Sequence, residues 1–341
     1  MTIPVFTFFN NKGGVGKTSL VYHLAWMYVD RGLRVLAVDL DPQANATAAF
    51  LHEEYLESIF MEKQGVQTIF DGINFLRRGI GDVAVPKLID MEMVTEIGDR
   101  LALIVGDLEL SSFEDQLSDA WPRCLDRDER AFRVISAFWR IMQQAATQHR
   151  ADIILVDLGP NLGAINRATL IATDYVVVPL APDLFSLKGL RNLGPTLRSW
   201  RREWQERLER NPAKDLPLPR GAMKPIGYVV LQHSVRLDRP VKAYDRWIAR
   251  IPEIYRSDVL EETSDEDIQI TNDPYALALL KNYGALMPMA QEVHKPIFYL
   301  KSADGAIGSQ MKAVGQVYHD FKALALRIAE TTGISLPSYE T

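Results

Sequence analysis

One cysteine, Cys124, stands among 341 residues, so no disulfide can form within the chain. That excludes a disulfide-stapled secreted scaffold and fits a reducing cytosol, where a lone thiol packs as a small apolar group. No apolar stretch approaches the ~20 residues that a membrane span needs. Met1-Thr2-Ile3-Pro4 runs straight into an apolar segment rather than a charged leader, so a soluble, cytoplasmic protein is expected. An excess of base is missing too: 38 Lys and Arg face 44 Asp and Glu, a net charge of −6. Any contact with nucleic acid must then come from a local basic surface, not from bulk charge. Neither repeats nor low-complexity tracts occur. With 47% apolar residues the chain has ample material for a full core.

What is present is organised around Asn11-Lys12-Gly13-Gly14-Val15-Gly16-Lys17-Thr18, which follows the apolar run Ile3 to Phe9 and opens a helical pattern. Glycines there let backbone N–H groups converge on an anion, and the helix adds its positive dipole end. The stretch matches the phosphate-cradling P-loop except at its first glycine, where Asn11 stands. Lys17 is expected to reach the β- and γ-phosphates, Thr18 to hold Mg²⁺, and Gly13, Gly14, Val15, Gly16 and Ser19 to line the cradle.

Two further segments end apolar runs with carboxylates. Leu33 to Leu40 delivers Asp39 and Asp41, and Asp152 to Asp157 has the Walker B pattern, each at the strand end where open α/β sheets place ligands. Asp174 to Leu180, Ile226 to Leu231 and Pro296 to Leu300 read as further strands. Ala131 to Gln148 reads as one helix, and Pro195 predicts a kink or restart in the helix around Leu187 to Trp204. Residues 53–63 read as an amphipathic helix, Asp71 to Asp82 as broken segments, and 51–100 together as a solvated insertion over one edge. Asn211 to Gly221 reads as a loop. The apolar stripe Ile307, Met311, Val314, Tyr318, Phe321, Ile328 predicts a long helix packed on the sheet. The fold expected is a single α/β domain over 1–341, a P-loop NTPase with a mostly parallel twisted sheet flanked by helices on both faces.

Lys12, a second lysine at the start of the loop, marks the deviant Walker A motif. With Asp39-Leu40-Asp41-Pro42-Gln43-Ala44-Asn45-Ala46-Thr47 and Asp157-Leu158-Gly159-Pro160, the chain resembles the ParA/MinD family of P-loop ATPases over roughly residues 1–50 and 100–330. The resemblance implies ATP and Mg²⁺ as cofactors, with Asp41 positioning the attacking water and Asp39 and Asp157 near the metal. It also implies that Lys12 crosses into a partner's nucleotide site in an ATP-dependent homodimer. Base contacts are expected from Gln232 and the segment near Asn282. The arginine-bearing pattern usual before the final strand is not legible, so ATP over GTP is inherited from the resemblance.

Arg239, Lys242, Arg246 and Arg250 fall at helical spacing, and Arg198, Arg201 and Arg202 form a second cluster. In this family such clusters imply non-specific DNA binding, nucleoid association and release by a ParB-like activator. A membrane switch of the MinD kind needs a basic amphipathic tail, which Ser335 to Thr341 is not. A regulatory or defence-associated switch acting on a partner effector is the alternative use of the same ATPase. The nitrogenase iron-protein branch is excluded, since it needs paired cysteines.

Overall fold

The computed structural model describes residues 2–61, 65–91, 100–231, 246–262 and 268–337. In chain order its elements begin with β1 (Val5–Phe8), α1 (Lys17–Asp30), β2 (Val35–Asp39), α2 (Asn45–Phe50), α3 (Glu53–Met61) and α4 (Ile69–Arg78). β3 (Ile89–Asp90), β4 (Leu101–Ile104), α5 (Glu114–Arg123), α6 (Glu129–Ile135), α7 (Ala137–His149), β5 (Ile153–Asp157) and α8 (Ala164–Ile171) follow. The described chain continues with β6 (Tyr175–Leu180), α9 (Leu184–Arg210), β7 (Lys224–Leu231), β8 (Ala276–Leu280), α10 (Leu286–Glu292) and α11 (Ser309–Thr332).

The strands form one sheet in the order β3-β4-β2-β5-β1-β6-β7-β8. Every pairing is parallel except β3 with β4 at one edge. Parallel strands need both faces covered, and the near-continuous apolar strands supply two. Val5, Leu36, Val38, Ile154 and Val156 point into a core roofed by α4 to α9. Phe6, Phe8, Val35, Leu155 and Val177 point into the other, under α1, α10 and α11. Because β1 lies between β5 and β6, the carboxyl ends of β2, β5 and β1 meet at the middle of one sheet edge. That edge is where the three motifs converge.

Several expectations change in the folded chain. Pro296 to Leu300 is not a strand. Ile297–Tyr299 is a 3₁₀ turn packed into the core, and the edge strand is β8. The region from Ala131 to Gln148 is two helices broken at Ser136, whose hydroxyl bonds back to the Phe132 carbonyl at 2.7 Å. α9 runs unbroken through Pro195. The carbonyl this leaves without an N–H partner belongs to Arg191, an exposed residue that water can serve.

Asp71 to Asp82 is not broken throughout. Thr68 and Asp71 form a reciprocal capping box that starts α4, and Ile69, Phe70, Ile73 and Leu76 bury into the core. The segment 51–100 is therefore partly core rather than a solvated cover. α11 packs through Val314, Val317, Phe321, Leu324 and Ile328, but Ile307 (66% exposed) and Met311 (37%) lie outside the buried stripe. Cys124 is fully buried, and burial pushes its thiol up to about 12, as expected of packing rather than reactivity. Among the described residues no helix is long and apolar enough to cross a membrane.

Candidate functional site

The loop between β1 and α1 turns with left-handed backbone at Gly14 and Gly16 (φ 70° and 74°), a region costly for residues with a Cβ. At Gly16 a Cβ would also lie 2.7 Å from Leu231 Cδ1. The turn aims the start of α1 into a cleft of about 770 Å³, lined by the loop from Gly13 to Ser19 and by Asp41 and Pro160. Lys17 is buried, and its Nζ donates to the carbonyls of Asn10 and Lys12, both at 3.3 Å. Burial lowers its pKa, against the pull of Asp157 and Asp41.

Asp39 and Asp157 stand side by side in the β2–β5 register. Thr18 Oγ1 donates to Asp157 Oδ2 at 2.7 Å, while Asp157 Oδ1 is buried with no partner. Desolvation raises the pKa of Asp157, and the neighbouring Asp39 charge adds to this. A buried carboxylate with an idle lone pair beside a threonine hydroxyl is a donor set of the hard-oxygen kind that Mg²⁺ takes. Thr18 and Asp157 thus fit the metal expected here. Asp39 is occupied differently: Oδ1 accepts the Asp41 N–H at 3.1 Å and Oδ2 the Thr47 N–H at 2.8 Å, so it organises the turn that carries Asp41. Among the described residues no group of three or more His, Cys, Asp or Glu could hold a metal ion alone.

Asp41 is buried at the cleft, with Oδ1 accepting the Gln43 N–H at 3.0 Å. Ala44, at φ 51°, closes the turn in a conformation unusual for a residue with a Cβ, and α2 begins at Asn45. Lys12, unlike Gly13 to Ser19, does not line the cleft. Its Nζ is paired with Asp183 Oδ2, and Asp183 Oδ1 caps α9 by accepting the Ser186 N–H at 2.9 Å. The apolar side chains of Leu162, Leu184 and Phe185 are 38, 42 and 68% exposed, and the last two directly follow Asp183.

The far wall of the cleft includes Met287, Ala290 and Gln291 of α10 and Lys295 after it. Met287 belongs to the segment near Asn282 expected at the base; Ala290, Gln291 and Lys295 are not expected from the sequence, since α10 follows a short edge strand that carries no motif. Asn282, which opens the segment expected near the base, accepts the Gly284 N–H at 2.7 Å. Gln232, Arg239 and Lys242 lie outside the described residues.

The second basic cluster is partly spent internally. Arg198 donates to the carbonyls of Asp258 and Val259 and pairs with Glu261, and Arg201 donates to the carbonyls of Ala222 and Met223. Arg202, Arg246 and Arg250 are exposed.

A family model described as an AAA domain matches residues 3–210. The chain is 30% identical over 190 residues to the sporulation initiation inhibitor protein Soj of Bacillus subtilis, covering 55% of this chain and 62% of Soj. It is 28% identical over 207 residues to the chromosome partitioning protein ParA of Caulobacter vibrioides, covering 61% and 67%. It spans 45% of the length of an IncC protein of Escherichia coli. Among solved structures, protein DIP2308 of Corynebacterium diphtheriae superposes with a TM-score of 0.67 at 24% identity, covering 97% of this chain and 99% of that one. An ATP complex of a Cyanothece McdA variant superposes at 0.60 and 16% identity, covering 99% of each. Both share the fold. The loop with its two lysines, the paired strand-end carboxylates and the matched model over the amino-terminal 210 residues converge on one conclusion: the chain belongs to the ParA/MinD family of P-loop ATPases.

Proposed function

We propose that this chain is a ParA-like ATPase. ATP closes two copies face to face, the dimer binds DNA without sequence preference, and hydrolysis stimulated by a ParB-like or other activator releases it, in plasmid or chromosome partition or cargo positioning. The observation that carries the reading is the division of labour between the two loop lysines. Lys17 is buried over its own loop, where a triphosphate would replace the two carbonyls as its partner. Lys12 does not line the cleft and pairs instead with Asp183, next to the exposed Leu184 and Phe185, so it is free to serve a second copy's nucleotide once that pair opens.

Phosphoryl transfer asks mainly for positioning and charge neutralisation. Thr18 and Asp157 would hold Mg²⁺, which supplies charge neutralisation on the phosphates when bound. Asp41, at the cleft and opposite the loop, orients the attacking water. Lys12 of a second copy then completes the set by adding positive charge from outside, as an arginine finger does in related enzymes. Met287 and Gln291, which line the cleft, would meet the base.

The test is the size of the hydrolysis-blocked Asp41→Ala variant in solution. A dimer with ATP and a monomer with ADP is expected, and adding Lys12→Ala should leave a monomer with both. In the otherwise native chain, Lys12→Ala should lower kcat by at least about a hundredfold. Asp41→Ala remaining monomeric with saturating ATP would refute the closing step.

A further inference from the structure

We propose that Glu114 is a positioning residue for hydrolysis: through it, the single segment from Gly106 to Glu114 holds both carboxylate-bearing turns, Asp39 to Thr47 and Asp157 to Gly163, in fixed relation. The proposal rests on the ATPase reading above.

At one end of this segment the Gly106 N–H donates to Thr47 Oγ1 at 2.8 Å, and the Thr47 N–H donates to Asp39 Oδ2 at 2.8 Å. The fit is close, since a Cβ at position 106 would stand 2.8 Å from Asp39 Cγ. The segment is itself anchored. Asp107 accepts the Glu109 N–H at 2.9 Å and the Thr68 hydroxyl at 2.7 Å, and Leu110 and Phe113 are fully buried.

At the other end, in the first turn of α5, the Glu114 carboxylate accepts the N–H groups of Ala164 and Ile165, the latter at 2.9 Å. These are the first two residues of α8, the helix that follows Asp157 to Gly163. Helices usually satisfy such orphan donors with a serine, threonine or aspartate at their own start. Here the capping position is Gly163, which has no side chain to offer. A Cβ at 163 would lie 2.5 Å from Glu114 Oε1, so a local cap and the remote carboxylate exclude one another.

What Glu114 fixes at α8 reaches the cleft in one further step. Asn166, in the first turn, donates from Nδ2 to the carbonyls of Gly159 at 2.8 Å and Asn161 at 2.6 Å. Gly159 in turn is so close to Asp41 that a Cβ there would meet Asp41 Oδ1 at 3.1 Å. The carboxylate that orients water is thus bracketed by a turn anchored through Thr47 on one side and a turn anchored through Glu114 on the other. Displacements near 1 Å at such a group can cost about 10²-fold in rate, which is why a tether on the body of the protein matters more to turnover than to binding.

Three variants test this. Glu114→Ala should lower kcat by about tenfold or more with the KM for ATP unchanged, and lower the melting temperature by about 2 °C through the lost cap. Combining Glu114→Ala with Gly163→Ser puts a cap in the space the carboxylate leaves. Apart from Glu114, the nearest atom to the new Cβ is Oδ1 of the exposed Asn161 side chain at 3.0 Å, which accepts the Gly163 N–H at 2.9 Å and has to shift. This double variant should recover the melting temperature but not kcat. Glu114→Gln, which keeps one acceptor on α5, should retain more kcat than Glu114→Ala. Recovery of kcat by the local cap would show Glu114 to be a helix cap only and overturn the proposal, as would wild-type kcat in Glu114→Ala or a glutamine variant no faster than alanine. A native chain that does not hydrolyse ATP at all would instead defeat the ATPase reading on which the proposal rests.

Discussion

His23 lies on α1 with its ring against Phe321 at 4.8 Å between centroids. Its Nδ1 is 2.7 Å from the Ser19 carbonyl and its Nε2 accepts the Ile297 N–H at 3.2 Å, which together require the neutral ring protonated at Nδ1. Burial lowers its pKa to about 4, from near 6.5 in the unfolded chain. The neutral form is favoured on folding, so this contribution is fully present above the unfolded pKa and is lost as pH falls from 6.5 through 4. Its size is on the order of 3 kcal/mol. Asp39 and Asp157 act with the opposite sign, because their raised pKa values make the folded state hold protons more tightly and favour it as pH falls. Comparing denaturant unfolding of the native chain with His23→Phe between pH 4 and 7 isolates the histidine. The variant should be the less sensitive of the two to acid, and identical pH profiles would show that the ring carries no such load. In the sequence His23 reads as a packed or surface helix residue. Its burial comes from Phe321 and Ile297, about 300 residues away, and no local pattern announces them.

At the scale of the element, α9 joins the nucleotide loop to the arginine cluster it carries, because Asp183 is at once its cap and the partner of Lys12. Asparagine caps as well as aspartate but carries no charge, so Asp183→Asn should separate the two roles. Helix stability should change by less than about 0.5 kcal/mol. With Lys12 released, the ATP dimer should assemble at lower protein concentration, measurable as a shift in the monomer–dimer midpoint by sedimentation. An unshifted midpoint would mean that the pair exerts no restraint on assembly. Elements that carry a motif were legible in sequence, as were strands such as β2, β5 and β6, because a parallel strand covered on both faces must be apolar nearly throughout. Elements defined by long-range packing were not. Ile297–Tyr299 has a strand's composition and a turn's geometry, α4 is stabilised by a Thr68–Asp71 cap inside a stretch that looks broken, and the cleft wall at α10 has no chemistry of its own to announce it.

For the whole molecule, a net charge of −6 means that a duplex is met by a patch or not at all. Of the basic residues expected to serve, Arg198 and Arg201 are bonded to backbone carbonyls, which leaves Arg202, Arg246 and Arg250 as the exposed members among the described residues. Reversing charge at Arg246 and Arg250 should abolish retardation of random duplex DNA by the ATP-bound dimer without altering nucleotide affinity. For the native dimer, binding should weaken with salt with a log–log slope near −0.9 per phosphate contacted. Retardation that survives both reversals would move the surface elsewhere. One feature of the core bears on how any such cycle runs. Every residue of α1 from Leu20 to Val29 is buried, between the sheet and the helices that roof it, so the helix that begins at the phosphate cradle is also the spine of the interior. Amides there should be among the last to exchange with water, at a free energy near that of global unfolding, which hydrogen exchange would read. The cradle's floor is therefore a fixed anvil, and in the proposed cycle each stroke, from the arrival of a triphosphate to the parting of two copies, would have to be carried by the rim.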